Sequence, residues 1–255
     1  FLNNDNSLYD PDPDNPYVEF HGTHMAGTIG AVGNNGIGVA GVNWNVSIIP
    51  IKFLGRDSGT AEDATRAVDY VVDLKQRHGM NIVAINASWG GPEHPQFFQD
   101  ALQRAGRNGI FFVNAVGEGV HGVDSDTIDD YPAKFDCGVT YKHKAFDCIV
   151  AVTAMNANGK RASFANWGPT SVDLAAPGSG ITSTVPFDTG YAKGWGTSMA
   201  APHVTGALAL YAAAHPKATP QQIRDALFST TVATKDFAGQ TVTGGRLDVG
   251  AMLNH

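Results

Sequence analysis

Two histidines and a serine carry the chemistry this sequence offers. His21 and His24 lie three apart in HGTHMAG (21–27), where small residues begin a helix-like run. A helical zinc pair would need histidines four apart with a glutamate between them, and Gly22 and Thr23 stand there instead. That leaves two structural histidines or one acid–base group. His21, ahead of the helix, is the better placed to reach a loop serine, and imidazole titrates close to neutrality. Ser198 sits in GTSMAAPHVTG (196–206), at the opening of a nearly all-apolar helix over 197–214 that must be buried. A helix N-terminus presents unpaired N–H groups and a positive dipole end, which suit a developing oxyanion. Gly194 and Gly196 would let the backbone approach a substrate closely. Taken alone, Ser198 is better read as a helix cap.

Two further patterns bear on chemistry. GIGVAG (36–41) fits the G-x-G-x-x-G of dinucleotide sites, but it follows a helix and precedes an apolar run, the reverse of the strand-then-helix order such a site needs. Cys137 and Cys148 are 11 apart in a polar stretch without a CxxC spacing or further metal ligands. A disulfide there would contribute roughly 3 kcal/mol by restricting the unfolded chain, and it would point to an oxidising compartment. The alternative is two free thiols.

Behind these residues lies an alternation of strands and helices. Apolar runs over 47–54, 81–88, 110–115 and 148–155 read as buried strands, and SVDLAAPG (171–178) as a short run ending in Pro-Gly. Ala64, Ala67, Val68, Val71 and Val72 recur at helical spacing and stop near Gly79. Residues 95–109 form an amphipathic helix, and Thr219 with Pro220 opens another over 219–230. The alternation predicts an α/β fold with a parallel sheet covered on both faces.

The bulk composition narrows the class. The 255 residues suffice for one large domain, and 30 glycines suit many tight strand-to-helix turns. A formal net charge of −7 disfavours nucleic acid as partner and is compatible with bound cations. No apolar run approaches the roughly 20 residues needed to cross a bilayer.

The two motifs, taken in order, resemble those of the subtilisin-like (subtilase) serine proteases. Between them NASWGGP (86–92), GIFFVNAVGEG (109–119), YPA (131–133) and SFANWGPTSVDLAAPG (163–178) also follow the family pattern, so the resemblance runs from Phe1 to about His215. It implies one subtilisin-like catalytic domain over 1–255, with a three-layer α/β/α architecture around a mainly parallel, Rossmann-like twisted sheet. It implies a serine-type endopeptidase with His21 as general base and Ser198 as nucleophile. Ser88, Trp89 and Gly90 would wall one side of the substrate cleft and pair with the substrate as an added strand. Ala115, Val116 and Gly117 would line the other side, and their small size suggests a roomy pocket for large hydrophobic side chains. GNNGIGVAG (33–41) resembles a calcium loop, with Asn35 ligating through its side chain and Gly33, Ile37 and Val39 through carbonyls, the other reading being a plain Gly-rich turn. No organic cofactor is implied. The implied partners are protein or peptide substrates and a prodomain or upstream N-terminal segment, for a monomer that is secreted, extracellular or periplasmic.

The chain departs from the family pattern twice. The family carries an aspartate on an early strand before the histidine, in an Asp-Ser/Thr-Gly context. The 20 residues ahead of His21 are acidic and loop-like; they hold Asp5, Asp10, Asp12 and Asp14 but no such motif. A chain beginning at Phe1 is therefore expected to be truncated relative to the family, without a central strand and the triad aspartate, a loss costing about 10⁴ in turnover elsewhere. Glu118 stands where the pattern has an asparagine that donates to the oxyanion. A carboxylate cannot donate, and losing that donor costs about 10²–10³ in a subtilisin. Two functions follow: an active endopeptidase, or a catalytically impaired pseudoprotease acting as a binding module. A dinucleotide enzyme built on GIGVAG is the third candidate.

Overall fold

The computed structural model describes residues 7–8, 19–55 and 59–255. The acidic run with Asp5, Asp10, Asp12 and Asp14 lies outside the described residues. The helices are α1 (His21–Gly30), α2 (Ala61–His78), α3 (Gln96–Arg107), α4 (Thr197–Ala214), α5 (Pro220–Ser229) and α6 (Val249–Leu253). The strands are β1 (Ala84–Ala87), β2 (Phe111–Ala115), β3 (Gly138–Tyr141), β4 (Lys144–Asp147), β5 (Ile149–Met155), β6 (Leu174–Pro177), β7 (Ser179–Thr184), β8 (Tyr191–Trp195), β9 (Val232–Ala233) and β10 (Gly245–Arg246).

Six strands join in the order β1-β2-β5-β6-β10-β9, parallel except for the β9–β10 pair. Every residue of β2 is buried, as expected of a strand covered on both faces. Helix α4 runs along β1, β2, β5 and β6 with α1, α5 and α6 packed on it, while α2 and α3 pair on the other face. This is the three-layer α/β/α arrangement that the alternation predicts. Local signals set the helix ends. Thr60 and Asp63 form a capping box ahead of α2, and Gly79 closes it in the left-handed conformation at φ 66°. Thr219 and Gln222 cap α5 in the same way. Phe111, Phe112, Ile110 and Leu102 are fully buried between the layers, each contributing roughly 1.5–3 kcal/mol of apolar burial.

One predicted strand does not form. Residues 47–54 have no ladder, although Ile51 and Phe53 pack on the core. An extended segment becomes a strand only when its N–H and C=O groups find a partner, and β1 ends the sheet on that side among the described residues. Ile48, Ile49 and Leu54 consequently remain 39–42% exposed. A Lys52–Glu19 ion pair at 2.8 Å ties this segment to the residues just ahead of α1. Cys137 and Cys148 are bonded, with Cα atoms 5.3 Å apart, bracketing the β3–β4 hairpin.

Candidate active site

Ser198 is the second residue of α4 and is half-buried. It is not a cap, because Gly196 occupies the cap position at φ 152° without a side-chain bond. Instead Ser198 interlocks with Ser88. Its Oγ donates to the Ser88 carbonyl at 3.3 Å, and Ser88 Oγ donates to the Ser198 carbonyl at 2.9 Å. The second bond has a cause in the sequence. Pro202, four residues on inside α4, has no N–H, so the Ser198 carbonyl lacks its helical donor and the Ser88 hydroxyl replaces it. Thr197 N–H goes to Glu118 and Met199 N–H to the Gly196 carbonyl. That leaves the Ser198 N–H without an acceptor among the described residues.

The wall that holds Ser88 is itself braced. Asn114, buried on β2, donates to the carbonyls of Ala87 at 2.6 Å and Trp89 at 2.9 Å. The Trp89 ring packs between Phe53 and Phe98, with centroids 5.0 and 5.5 Å away. Gly91 and Tyr131 exchange backbone hydrogen bonds at 2.8 and 2.9 Å, closing the far end. Between these walls a cavity of about 270 Å³ opens beside Ser198, lined among others by Trp89, Gly90, Ala115, Gly117, Asp130 and Asn166.

Three expectations change here. Val116 is fully buried and packs with Ala133, Ala151 and Val172 behind the wall, so it does not line the cavity. A Cβ on Gly194 would fall 2.5 Å from Met199 and 3.1 Å from His24 Nε2. Interior packing, rather than close approach to a substrate, thus requires that glycine. The cavity is also not lined by apolar residues alone, since Asp130 is among those that line it. Asn166, which donates to the Val116 carbonyl at 3.0 Å, and Asp130 both escaped the sequence reading. The only hint was an acid placed directly ahead of YPA (131–133).

Glu118 stands at the N-terminus of α4. Its Oε1 accepts from Thr197 N–H at 2.5 Å and from Thr197 Oγ1 at 2.8 Å. A carboxylate here is favoured by the helix dipole, and as an acceptor it contributes no donor to an oxyanion.

On the histidine side, His24 is the structural member of the pair. It is fully buried under the β7–β8 hairpin, with Nε2 3.1 Å from the Ile181 carbonyl and 3.2 Å from that of Ala192. Burial holds its pKa below the ordinary value. His21 is the first residue of α1 rather than a residue ahead of it. It is solvent-exposed yet crowded by protein, and loss of hydration, then repulsion from His24, lower its pKa, with Glu118 acting in the opposite sense. Neutral imidazole is the form that accepts a proton. One turn along α1, Met25 Sδ lies 3.3 Å from Ser88 Oγ, bringing the histidine helix against the serine wall. Among the described residues no carboxylate hydrogen-bonds to His21.

The loop over 32–40 wraps a second cavity of about 240 Å³. Gly33, Asn35, Ile37 and Val39 all line it, and Asn35 Oδ1 accepts from Ile37 N–H at 3.0 Å, leaving a second lone pair. The donor set is oxygen-only and neutral, and it fits a hard cation in character. No group of three or more Asp, Glu, His or Cys side chains that could hold a metal ion is present among the described residues.

Comparison with known proteins bears on this geometry. The model of the family described as "Subtilase family" matches residues 1–246. Subtilisin E of Bacillus subtilis (strain 168) is 38% identical over 224 residues, covering 86% of this chain and 53% of that protein. Subtilisin DY of Bacillus licheniformis is 36% identical over 217 residues, covering 85% and 72%. The chain spans about half the length of several curated relatives it matches. Among solved structures, one described as proteases from Pseudoalteromonas arctica superimposes with a TM-score of 0.72 at 31% identity, covering 92% of this chain and 70% of that one. A cold adapted subtilisin-like serine proteinase gives 0.69 at 33% identity, covering 90% and 72%.

Proposed function

The chain belongs to the subtilase family, and from that premise we propose that it is a serine endopeptidase that works through an acyl-enzyme on Ser198. Ser198 Oγ attacks the peptide carbonyl carbon and passes its proton to His21. The C–N bond breaks, and His21 returns the proton to the leaving amine. Water, deprotonated by His21, then cleaves the ester and frees Ser198. The observation that carries this reading is the Ser198 N–H at the start of α4, which has no acceptor among the described residues, beside a hydroxyl at the mouth of a cavity. It gives a developing oxyanion one preorganised donor next to the nucleophile. His21 would need a carboxylate to hold its tautomer. The family pattern supplies one from a strand ahead of the histidine helix, and β1 has a neighbour on one side only among the described residues.

Several features of the whole protein follow as part of the same proposal. Calcium at the 32–40 loop would be structural, joining Asn35 Oδ1 to the carbonyls of Gly33, Ile37 and Val39. A rise in thermal midpoint with added calcium that a chelator reverses would support it. The Cys137–Cys148 bond supports an oxidising, secreted setting. We take the protein as a monomeric single domain that acts on peptides and whose relatives' pattern includes a prodomain.

The test is intact-mass analysis after exposure to a fluorophosphonate, with Ser198→Ala as control. One adduct, absent from the variant, is expected. A folded but unlabelled chain would favour the binding-module reading, in which Glu118 at the head of α4 marks a site that no longer acylates.

A further inference from the structure

The amino ends of the parallel strands carry cations with no carboxylate beside them. Lys75, in the last turn of α2, is half-buried, and its Nζ donates to the Ile82 carbonyl at 2.5 Å. An ammonium has three N–H groups, so two remain for another acceptor. Ile82 leads into β1, and the Phe111 N–H donates to the neighbouring Val83 carbonyl at 2.9 Å. Just ahead of β2, a Cβ on Gly109 would lie 3.1 Å from the Tyr141 ring. The β3–β4 hairpin is thus laid against the entrance of β2, beside the segment that Lys75 holds. Its tip brings Lys142 near enough for the two ammonium groups to repel each other. Burial, then that repulsion, pulls Lys75 down to about 8.

The tip itself is unusual. Tyr141 pairs with Lys144, so Lys142 and His143 alone make the turn, at φ 45° and 67°. Such a turn suits Asn-Gly, yet both positions carry exposed side chains that can bear positive charge. Cations in the last turn of a helix answer its dipole, which accounts for Arg77 on α2 and Arg107 on α3. Lys142, His143 and Lys144 lie on no helix. The acids of the adjoining elements are engaged elsewhere: Asp73 holds Arg77, Asp69 holds Arg104, and Asp147 meets Arg224. No ion pair reaches Lys75, Lys142 or Lys144 among the described residues.

We infer that Lys75 and Lys142, with His143 next to them in the turn, form a binding site for a tetrahedral oxyanion, sulfate or phosphate, at the end of the sheet opposite Ser198. The anion accepts from the spare Lys75 N–H groups and from Lys142, and it replaces their mutual repulsion with attraction. A free ion and a sulfate ester of a polysaccharide offer the same chemistry. The site stands apart from the endopeptidase reading, since neither lysine lines the cavity beside Ser198.

Calorimetric titration of sodium sulfate into the Ser198→Ala protein, with chloride holding the ionic strength constant, tests the site without turnover. Saturable binding is expected at pH 7. Lys142→Gln, a change at an exposed turn, should weaken it on the order of fivefold, and Lys160→Gln, beyond the far end of β5, should leave it unchanged. The other charged groups at this end are Asp73, Arg77 and His78 on α2, Arg107 on α3, and His143 and Lys144 on the hairpin. The parent protein's affinity should fall between pH 7 and pH 9 as Lys75 loses its proton, and Lys75→Gln, with its fold checked by circular dichroism, should lose that dependence. Dextran sulfate that binds more than about tenfold tighter per sulfate than the inorganic ion would assign the site to a polymer, and equal values would assign it to the free ion. Sulfate binding that Lys142→Gln leaves unchanged, or a folded protein that shows no saturable binding, would overturn the site.

Discussion

Asp130 and Asp173 are both buried aspartates, and burial pushes each up to about 6. Their surroundings could hardly differ more. Asp173, next to β6, accepts from Ala151 N–H at 2.8 Å and faces Arg224 at 3.6 Å. Arg224 in turn donates to the Ile149 carbonyl at 2.6 Å, reaches Asp147 at 3.3 Å and lies over the Phe228 ring at 4.2 Å. That cluster fastens α5 to the ends of β4 and β5. Asp130 has no such hydrogen-bonded pair: after burial, Glu118, of the same sign, raises it further, and Lys134 acts in the opposite sense. A buried acid wired to a cation ties elements of the frame together, whereas Asp130 carries the burial penalty without such a pair. The two sites carry similar shifts, so only their partners tell them apart.

The comparison is broken most severely by removing the cation. Arg224→Met should destabilise the protein by roughly 3–5 kcal/mol, because it leaves Asp173 buried without its pair. Urea denaturation at pH 7 would measure it, and a loss below about 1 kcal/mol would mean that Asp173 is not held as described. Glu118→Asn acts on the other member. It places a donor at the head of α4, and kcat should rise on the order of 10² if the oxyanion lacks that donor. The same change removes the like charge that raises Asp130, so Asp130 should titrate at lower pH than in the parent protein. A higher kcat with an unmoved titration would separate Glu118 from Asp130. Asp173→Asn and Asp130→Asn then sharpen the contrast: both remove a burial penalty at pH 8, but the first also takes the carboxylate from Arg224, so the gain should be smaller there. Equal gains for the two would erase the distinction.

Much of the frame was legible because periodicity and punctuation are local. The helix over 197–214 coincides with α4, and Gly79 and Thr219 mark the ends that the structure shows. The 47–54 run was misread for a non-local reason: its composition suits a strand, but a ladder needs a neighbour that the described residues do not supply. At the site, His21 and Ser198 were singled out by long motifs, while Val116 was placed at the cavity by the family resemblance, which does not say which way a side chain faces. Asp130 was missed for a related reason. Its burial depends on Gly90 and Gly117, which lie 40 and 13 residues away in sequence and meet it only once β1 and β2 are paired. The Ser88–Ser198 interlock was readable in principle, since Pro202 leaves the Ser198 carbonyl unpaired in any helix through it.

The smallest expected effect carries the clearest sign. Asp130 binds its proton more tightly in the folded chain, with a pKa of about 6, than an ordinary carboxylate does in the unfolded one, near 4. Between those values the native state holds more protons than the unfolded state, so its contribution to stability falls as pH rises from about 4 to 6 and stays low above that. Asp130→Asn removes the penalty, and a gain of roughly 1–2 kcal/mol is expected at pH 8 and almost none at pH 4. Glu118, Asp129 and Lys134 also face this region, so the gain should be measured as a difference between the two pH values rather than at one. A pH-independent gain would mean that asparagine merely packs better there, and that the carboxylate was never the strained element of the pocket.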